Sequence, residues 1–130
     1  MLSLLPHYEK ASVSIDRLRG YVLNLGHPKG KHKARVFKSV LAIEHSHAEQ
    51  LAKAILFSLP RSPAIKTNVD EFGERWQTYH EIVGVNGQAA IVSVAWILRP
   101  QSPETPELVT CYIDSKGQDK VSRLVREGRQ

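Results

Sequence analysis

The chain has 130 residues, of which 42% are hydrophobic and 24% are charged, and its formal net charge is +5. That length and composition are typical of one globular domain, and no apolar run approaches the roughly 20 residues that a membrane-spanning helix needs. The single cysteine, Cys111, excludes an internal disulfide and any multi-cysteine zinc site. Since no leader pattern precedes Pro6, we expect a cytoplasmic protein that does not bind membranes.

Three helices are predicted in the first half of the chain. Ser14 is placed to cap a short helix from Ile15 to Leu23. A second helix is predicted to begin near Gly30, because the following apolar residues repeat at helical spacing; these are Ala34, Phe37, Val40 and Leu41. Ser46 and Glu49 form the pattern of a capping box for a third helix, which the pattern continues as far as Pro60.

The second half of the chain predicts strands, in runs at residues 64–69, 75–85, 88–98 and 108–113. Asn86-Gly87 favours a two-residue type I′ hairpin, and residues 100–106 are predicted to be a proline-rich connection. The fold class expected is therefore α+β, with N-terminal helices packed on one face of an antiparallel sheet of about four strands. We expect a single domain over residues 1–114 and a basic C-terminal tail over residues 115–130, whose spacing also allows a short helix.

A two-residue turn at Asn86-Gly87 also predicts the register of the hairpin. It pairs Tyr79 with Val94 and His80 with Ser93. In that register one face forms the core, and the other is a partly polar open face that includes Trp76 and His80. Tyr112 is a further aromatic candidate for stacking on a nucleic-acid base, together with Trp76.

The segment GHPKGKHKARVF, residues 26–37, contains two histidines, three lysines and an arginine, but no acid. Its glycine spacing and the His32 that follows Lys31 do not match a phosphate loop of nucleotide hydrolases. His45 and His47 point in different directions on a helix, so they do not form a metal site. We therefore expect no metal and no cofactor.

The same segment contains the groups that RNA cleavage requires. RNA supplies its own nucleophile, the 2′-hydroxyl, so the protein needs a proton carrier and cations that stabilise the phosphorane. We predict His27 as the base or acid and His32 as a second proton carrier. Lys33 and Arg35 are predicted to hold the scissile phosphate and Thr110 to orient it. Lys31 and His80 are predicted as further substrate-binding residues. Residue types alone fit a plain binding surface equally well.

Three stretches of the chain resemble a bacterial domain of unknown function that occurs as a small stand-alone protein and at the C-termini of large secreted toxins. These stretches are LRGYVLNLGHPKGKHKARVF, NGQAAIVSVAWIL and ELVTCYI. They are similar to a pattern written YLLN.dHP.G..KA.fF, followed by an NG hairpin leading to a tryptophan strand and by a final LVTaY strand. The matching positions with side chains suited to phosphoryl chemistry are His27, Lys33 and Thr110.

Such domains resemble the broad ribonuclease-toxin group that includes barnase, EndoU and RelE. The resemblance implies metal-independent RNA cleavage that leaves a 2′,3′-cyclic phosphate. The leading hypothesis is accordingly an endoribonuclease toxin whose partners are RNA and a small acidic antitoxin. The alternatives are a non-enzymatic nucleic-acid-binding module and an adaptor domain that binds an acidic protein.

Overall fold

A computed structural model describes residues 3–128 of the chain. It contains one four-stranded antiparallel sheet in the order β1-β2-β3-β4, with strands Ala64–Asp70, Gly73–Val83, Ala89–Arg99 and Ser102–Ile113. The helices are α1 (Ile15–Arg17), which continues as a π-helix over Leu18–Val22, α2 (Lys31–Leu41), α3 (Ala48–Ser58) and α4 (Gly117–Glu127). The predicted α+β class, with helices before an antiparallel meander, is confirmed.

The predicted helix starts are correct at α1 and α2. Ser14 Oγ accepts a hydrogen bond from the Arg17 amide at 3.1 Å, and Gly30 is the N-cap of α2. The capping box predicted at Ser46 and Glu49 is wrong. Glu44 and His47 form the box instead: Glu44 accepts from the His47 amide, and His47 Nδ1 accepts from the Glu44 amide at 3.0 Å.

The predicted two-residue hairpin is also wrong, and the register moves by one residue. A type I′ turn requires positive φ at both Asn86 and Gly87, but only Gly87 has it, at 81°. The Gly84 amide donates to the Gln88 carbonyl at 2.7 Å, which closes a three-residue loop over residues 85–87, and the Gly87 amide donates to the Gly84 carbonyl within it at 3.1 Å. Tyr79 therefore pairs with Ser93, and His80 pairs with Val92.

Because side chains alternate across a strand, this one-residue change moves the side chains of β2 to the opposite face relative to those of β3, whose residues Val92, Val94 and Trp96 stay on the buried face as predicted. The front face, which the N-terminal helices cover, carries Trp76, Thr78, His80, Ile82, Val92, Val94 and Trp96. The back face carries Tyr79 and Ser93, and Tyr112 pairs with Ser93 from β4. The predicted open-face position of Trp76 and His80 is thus wrong.

The strand β4 begins earlier than the sequence predicts, at Ser102, so the proline-rich segment is part of the sheet. This is possible because β4 is an edge strand, where a proline without an amide hydrogen breaks no ladder. The outer edge pairs briefly with the N-terminal segment: the Ser12 amide donates to the Pro106 carbonyl at 2.8 Å. A register shift follows at Val109, where β4 has one residue more than β3.

The C-terminal segment forms α4 and packs on the back face. Gly117 approaches Ile91 so closely that a Cβ atom would overlap the Ile91 side chain. Asp114 anchors the helix, since its carboxylate accepts from the Lys120 ammonium at 2.6 Å and from the Ser93 hydroxyl at 3.1 Å. Burial alone would raise the pKa of Asp114, but hydrogen bonds from Lys120, the Lys116 amide and Ser93 outweigh it and lower the pKa.

Candidate functional site

The loop before α2 is held in place by its own polar groups. Asn24 Oδ1 accepts from the Gly26 amide at 2.9 Å, and Asn24 Nδ2 donates to the Gly20 carbonyl at 3.1 Å. His27 Nδ1 accepts from the amides of Lys29 and Gly30, both at 3.0 Å. His27 thus holds the loop that leads into α2 and occupies two amides that would otherwise be available to a phosphate.

These bonds also fix the state of the His27 ring. A nitrogen that accepts two N–H groups carries no proton, so the neutral ring holds its hydrogen on Nε2. A proton on Nδ1 would point an N–H group at the amide N–H groups of Lys29 and Gly30, and both hydrogen bonds would be lost. His27 Nδ1 therefore cannot act as a base without loss of the loop structure, and only the Nε2 hydrogen remains for other contacts.

Tyr21 lies at the centre of a cluster that joins this loop to α1 and α2. Its ring contacts the edge of His27, with ring centroids 4.8 Å apart. The Arg17 guanidinium lies 5.0 Å and the Lys33 ammonium 5.5 Å from the ring centroid, and Lys33 Nζ is 3.5 Å from the Tyr21 hydroxyl. Gly30 packs against the Tyr21 carbonyl so tightly that a Cβ there would overlap it.

A groove of about 380 Å³ lies between α2 and the end of β4, and we call it the α2–β4 groove; it is lined by His32, Lys33, Val36, Tyr112 and Ile113. Lys33 joins the groove to the Tyr21 cluster. The structure therefore brings together three residues that the sequence selected separately: His32, Lys33 and Tyr112. His32 is exposed and Tyr112 is half-buried, so a ligand can reach both.

Positive charge surrounds the groove. Lys31 and Arg35 flank it on α2, where Lys31 is half-buried and Arg35 is exposed. From the other side, Arg17 Nε donates to the Val109 carbonyl at 2.7 Å, which ties α1 to the β4 edge. No acidic side chain lines the groove. The arrangement can hold an anion beside an exposed imidazole.

Thr110 does not present its hydroxyl to this groove. Its Oγ1 is enclosed and has no hydrogen-bond partner within residues 3–128. Thr110 pairs with Ala95, which places it on the back-face side of β4. A contact between this hydroxyl and a phosphate would require it first to become accessible.

The two remaining predicted contact residues lie elsewhere. Trp76 is half-buried at the margin of the core, and its Nε1 donates to Glu74 Oε1 at 2.6 Å. His80 is fully buried on the front face. The expectation that these side chains line an open face is wrong because it depended on the two-residue hairpin.

His80 is instead the centre of a buried polar network. Its Nδ1 lies 2.7 Å from Ser58 Oγ and 3.0 Å from Ser62 Oγ, and its Nε2 lies 2.7 Å from Thr78 Oγ1. Trp96 Nε1 donates to the same Thr78 oxygen at 2.7 Å. The network joins the end of α3 to strands β2 and β3.

The hydrogens of this network can be assigned from their partners. Each serine hydroxyl has a backbone carbonyl to donate to: Ser58 to Ala54 at 2.9 Å, and Ser62 to Ser58 at 2.7 Å. Both hydroxyls therefore accept from His80 Nδ1–H, while Thr78 donates to Nε2. Burial lowers the pKa of His80 to about 4, so the ring is neutral at neutral pH.

Two residues of the candidate site, Arg17 and Tyr21, were not selected from the sequence. For Tyr21 a signal existed, since the tyrosine of the YLLN pattern aligns with it. Arg17 had no such signal, because its role depends on the approach of α1 to the edge of β4. Cys111, which is buried below Lys33, is not reactive, because burial raises the pKa of its thiol to about 12.

No group of three histidine, cysteine, aspartate or glutamate side chains within residues 3–128 is arranged to hold a metal ion. In the same part of the chain, no helix is long and apolar enough to cross a membrane.

A family model described as "Domain of unknown function (DUF6883)" matches residues 4–115. No curated protein matches the chain. Among solved structures, the chain is similar to a chain of the contact-dependent growth inhibition toxin–immunity protein complex from Klebsiella pneumoniae 342. The TM-score is 0.61 at 13% sequence identity, and the similarity covers 84% of this chain and 97% of that chain. At this identity the likeness shows a shared fold.

Proposed function

The chain belongs to the DUF6883 family of domains of unknown function, and we propose that it is a toxin with metal-independent endoribonuclease activity. The observation that carries the proposal is the α2–β4 groove, where an exposed imidazole, an ammonium group and a tyrosine meet without any acid. The shared fold with a chain of a toxin–immunity complex supports the toxin role.

The groove supplies groups for an in-line attack of the RNA 2′-hydroxyl on the neighbouring phosphorus. His32 takes the hydroxyl proton while the bond from O2′ to phosphorus forms. Lys33 donates to a phosphoryl oxygen, stabilises the added negative charge and gives a proton to O5′ as the phosphorus–O5′ bond breaks. The products are a 2′,3′-cyclic phosphate and a free 5′-hydroxyl, after which His32 releases its extra proton to solvent and Lys33 takes one back.

His27 acts in this scheme as a positioning residue. Its Nδ1 holds the loop that precedes α2, and its ring packs against Tyr21, whose hydroxyl lies next to Lys33. Lys31 and Arg35 on the same helix attract the phosphates on either side of the cleavage site. Tyr112 offers a half-exposed ring on which a base can stack.

The test is RNA cleavage by the purified protein in the presence of EDTA. We expect fragments that end in cyclic phosphate, and a loss of about 100-fold or more in His32→Asn and in Lys33→Met. Methionine keeps the packing of the lysine stem, so stability should change little. Lys53→Met on the exposed side of α3 removes the same charge away from the groove and should cleave like the parent. Equal cleavage by all three variants would refute the assignment.

A second candidate, a non-enzymatic RNA-binding module, is favoured by one specific observation. His27 Nδ1 and the Thr110 hydroxyl are both withdrawn from the groove, so His32 is the one exposed histidine that lines it. This module would bind RNA and show the same dependence on Lys33, but the RNA would remain intact after long incubation.

We also propose a small acidic partner that inhibits the toxin by covering α2. The outer side of this helix carries the imidazole of His32 and exposed or half-exposed cations without an acid, namely Lys31, Lys33, Arg35 and Lys38. An acidic surface would associate rapidly with such a helix and would block the groove. Expression of the chain should arrest bacterial growth, and a co-expressed inhibitor from the adjacent gene should relieve the arrest for the parent but poorly for Arg35→Glu.

A further inference from the structure

The helix α4 places a row of cations beside the back face of the sheet. Lys116, Lys120 and Arg123 are spaced at i, i+4 and i+7, so they lie along one side of the helix. The close packing of Gly117 on Ile91 fixes the start of the helix on β3. This row lies beyond residue 115, where the match to the family ends.

Two tyrosines of the back face lie next to these cations. The Lys120 ammonium is 5.9 Å from the centroid of the Tyr79 ring. Burial raises the pKa of Tyr79, and the nearby positive charges of Lys120 and Arg123 oppose that rise. Tyr112 lies two residues before Asp114, whose carboxylate accepts from the Lys120 ammonium at 2.6 Å.

Tyr112 belongs to the back face and to the α2–β4 groove at once. It pairs with Ser93 on the back face, and its side chain lines the groove with His32 and Lys33. Neighbouring strands are about 4.8 Å apart, so Tyr79 on β2 and Tyr112 on β4 are separated by roughly 10 Å across the sheet. Tyr79 is buried, so Tyr112 is the ring of this pair on which a base can stack, and a chain of a few nucleotides can cover the distance from Tyr112 to the cations beside Tyr79.

The charge of this region is only partly neutralised. Asp114 engages Lys120, but Arg123 is exposed and takes part in no ion pair or hydrogen bond within residues 3–128. Cations that alternate with aromatic rings along a groove are the features that bind single-stranded nucleic acid, because the rings stack on bases and the cations hold phosphates.

We propose that Tyr112, Lys120 and Arg123 form a second contact site for single-stranded RNA, continuous with the α2–β4 groove. The site holds nucleotides that flank the one bound beside His32 and Lys33. The inference rests on the proposed function in that RNA is the ligand, but it concerns binding and does not require cleavage.

The experiment measures binding of fluorescein-labelled oligonucleotides that are 2′-deoxy at every position and therefore cannot be cleaved. A trimer and a dodecamer are compared by fluorescence anisotropy. Arg123→Gln should weaken binding of the dodecamer by about three- to tenfold and reduce the slope of log K against log salt by about one, because one phosphate contact is lost. Binding of the trimer, which fits the groove alone, should not change.

Two matched variants control for charge. Lys53→Gln on α3 removes one positive charge elsewhere and should leave both affinities unchanged. Arg123→Lys keeps the charge and should retain most of the dodecamer affinity. If Arg123→Gln binds the dodecamer like the parent while Lys33→Met binds it more weakly, the second site is refuted and the groove remains. If the parent binds neither oligonucleotide, the proposed function and this inference both fail.

A polyglutamate peptide distinguishes RNA from an acidic protein as the occupant of the site. It should compete with the dodecamer much more weakly than an unlabelled dodecamer of the same charge, since glutamate side chains cannot stack on Tyr112. If polyglutamate and the unlabelled dodecamer displace the labelled dodecamer at the same concentration, the site recognises charge alone and the proposal for RNA is overturned.

Discussion

His80 and His27 are both held through Nδ1, and they lie in opposite environments. His80 is fully buried, and both of its ring nitrogens are bonded to hydroxyl groups. His27 lies at the surface loop before α2, where Nδ1 accepts two backbone amides and Nε2 forms no hydrogen bond within the described residues. The partners of each ring, more than the residue type, determine what it can do.

The buried network has the composition of a catalytic site but not its accessibility. Serines next to a histidine are the groups of a nucleophilic triad. In this network each serine donates to a backbone carbonyl, and no solvent reaches the histidine. The α2–β4 groove has fewer internal bonds and greater exposure, so its side chains remain free to contact a ligand.

The largest expected effect on stability comes from removal of the buried ring. His80→Ala leaves a buried cavity, removes the donor to Ser58 and Ser62 and leaves the Thr78 hydroxyl hydrogen without its acceptor, so the free energy of unfolding should fall by about 4 kcal/mol. Urea denaturation measures the change. His45→Ala, at an exposed position, should change the value by less than about 0.5 kcal/mol. A loss below about 1 kcal/mol for His80→Ala would contradict the network.

Acid should destabilise the fold through the same residue. The His80 pKa is about 4 in the folded chain and 6.5 in the unfolded chain, so between these values the unfolded state binds the additional proton. The contribution of His80 to stability is complete above pH 6.5 and is lost as the pH falls to 4, by about 3 kcal/mol in all.

Denaturation curves at pH 7 and pH 4.5 test this, with His80→Gln as the comparison. The variant should be less stable at pH 7, but its stability should depend less on pH than that of the parent. Parallel pH profiles for the two proteins would mean that His80 is not the group responsible.

Gly30 allows the loop that holds His27 to approach α1. Gly30→Ala would place a Cβ against the Tyr21 carbonyl, and we expect a loss of about 2 kcal/mol together with reduced RNA cleavage. Gly20→Ala is the matched control, because a Cβ there meets nothing within 4 Å and alanine stiffens the unfolded chain. Equal stabilities of the two variants would show that the loop can shift freely.

The smallest expected effects are those of His27 variants, which distinguish a positioning role of this residue from a role in proton transfer. His27→Ala should lose about 1 kcal/mol of stability, whereas His27→Asn should keep most of it, because an asparagine oxygen can accept the same two amides. If His27 acts by position, His27→Asn also retains cleavage within about tenfold. Normal stability with a 100-fold slower rate would instead show that Nε2 takes part in proton transfer.

The helices and the fold class were predictable because local signals agreed with the tertiary structure. Ser14 caps α1, and three residues of the predicted apolar stripe of α2 are buried, namely Ala34, Phe37 and Leu41, whereas the fourth, Val40, is exposed. The strand register was not predictable, because Asn86-Gly87 is compatible with two loop lengths. In the structure the loop has three residues and packs on the end of α2, where the Val85 amide donates to the Leu41 carbonyl at 2.9 Å.

The candidate site, too, was predictable from the sequence only in part. The acid-free segment at residues 26–37 is visible in the sequence, and so are the individual residues His27, His32, Lys33 and Tyr112. Their grouping was decided when α2 packed beside the edge of β4. The sequence could not show that His27 Nδ1 would hold the loop that precedes α2 or that the Thr110 hydroxyl would be enclosed.

The sequence by itself determined the positive charge, the order of helices before strands and the residues able to bind phosphate, since these follow from composition and local periodicity. Only the tertiary structure decided which face of the sheet is buried and which histidine remains accessible. The physical reason is that a one-residue change in register moves every side chain of the shifted strand to the other face of the sheet. Which register is more stable depends on packing between segments that are distant in the chain.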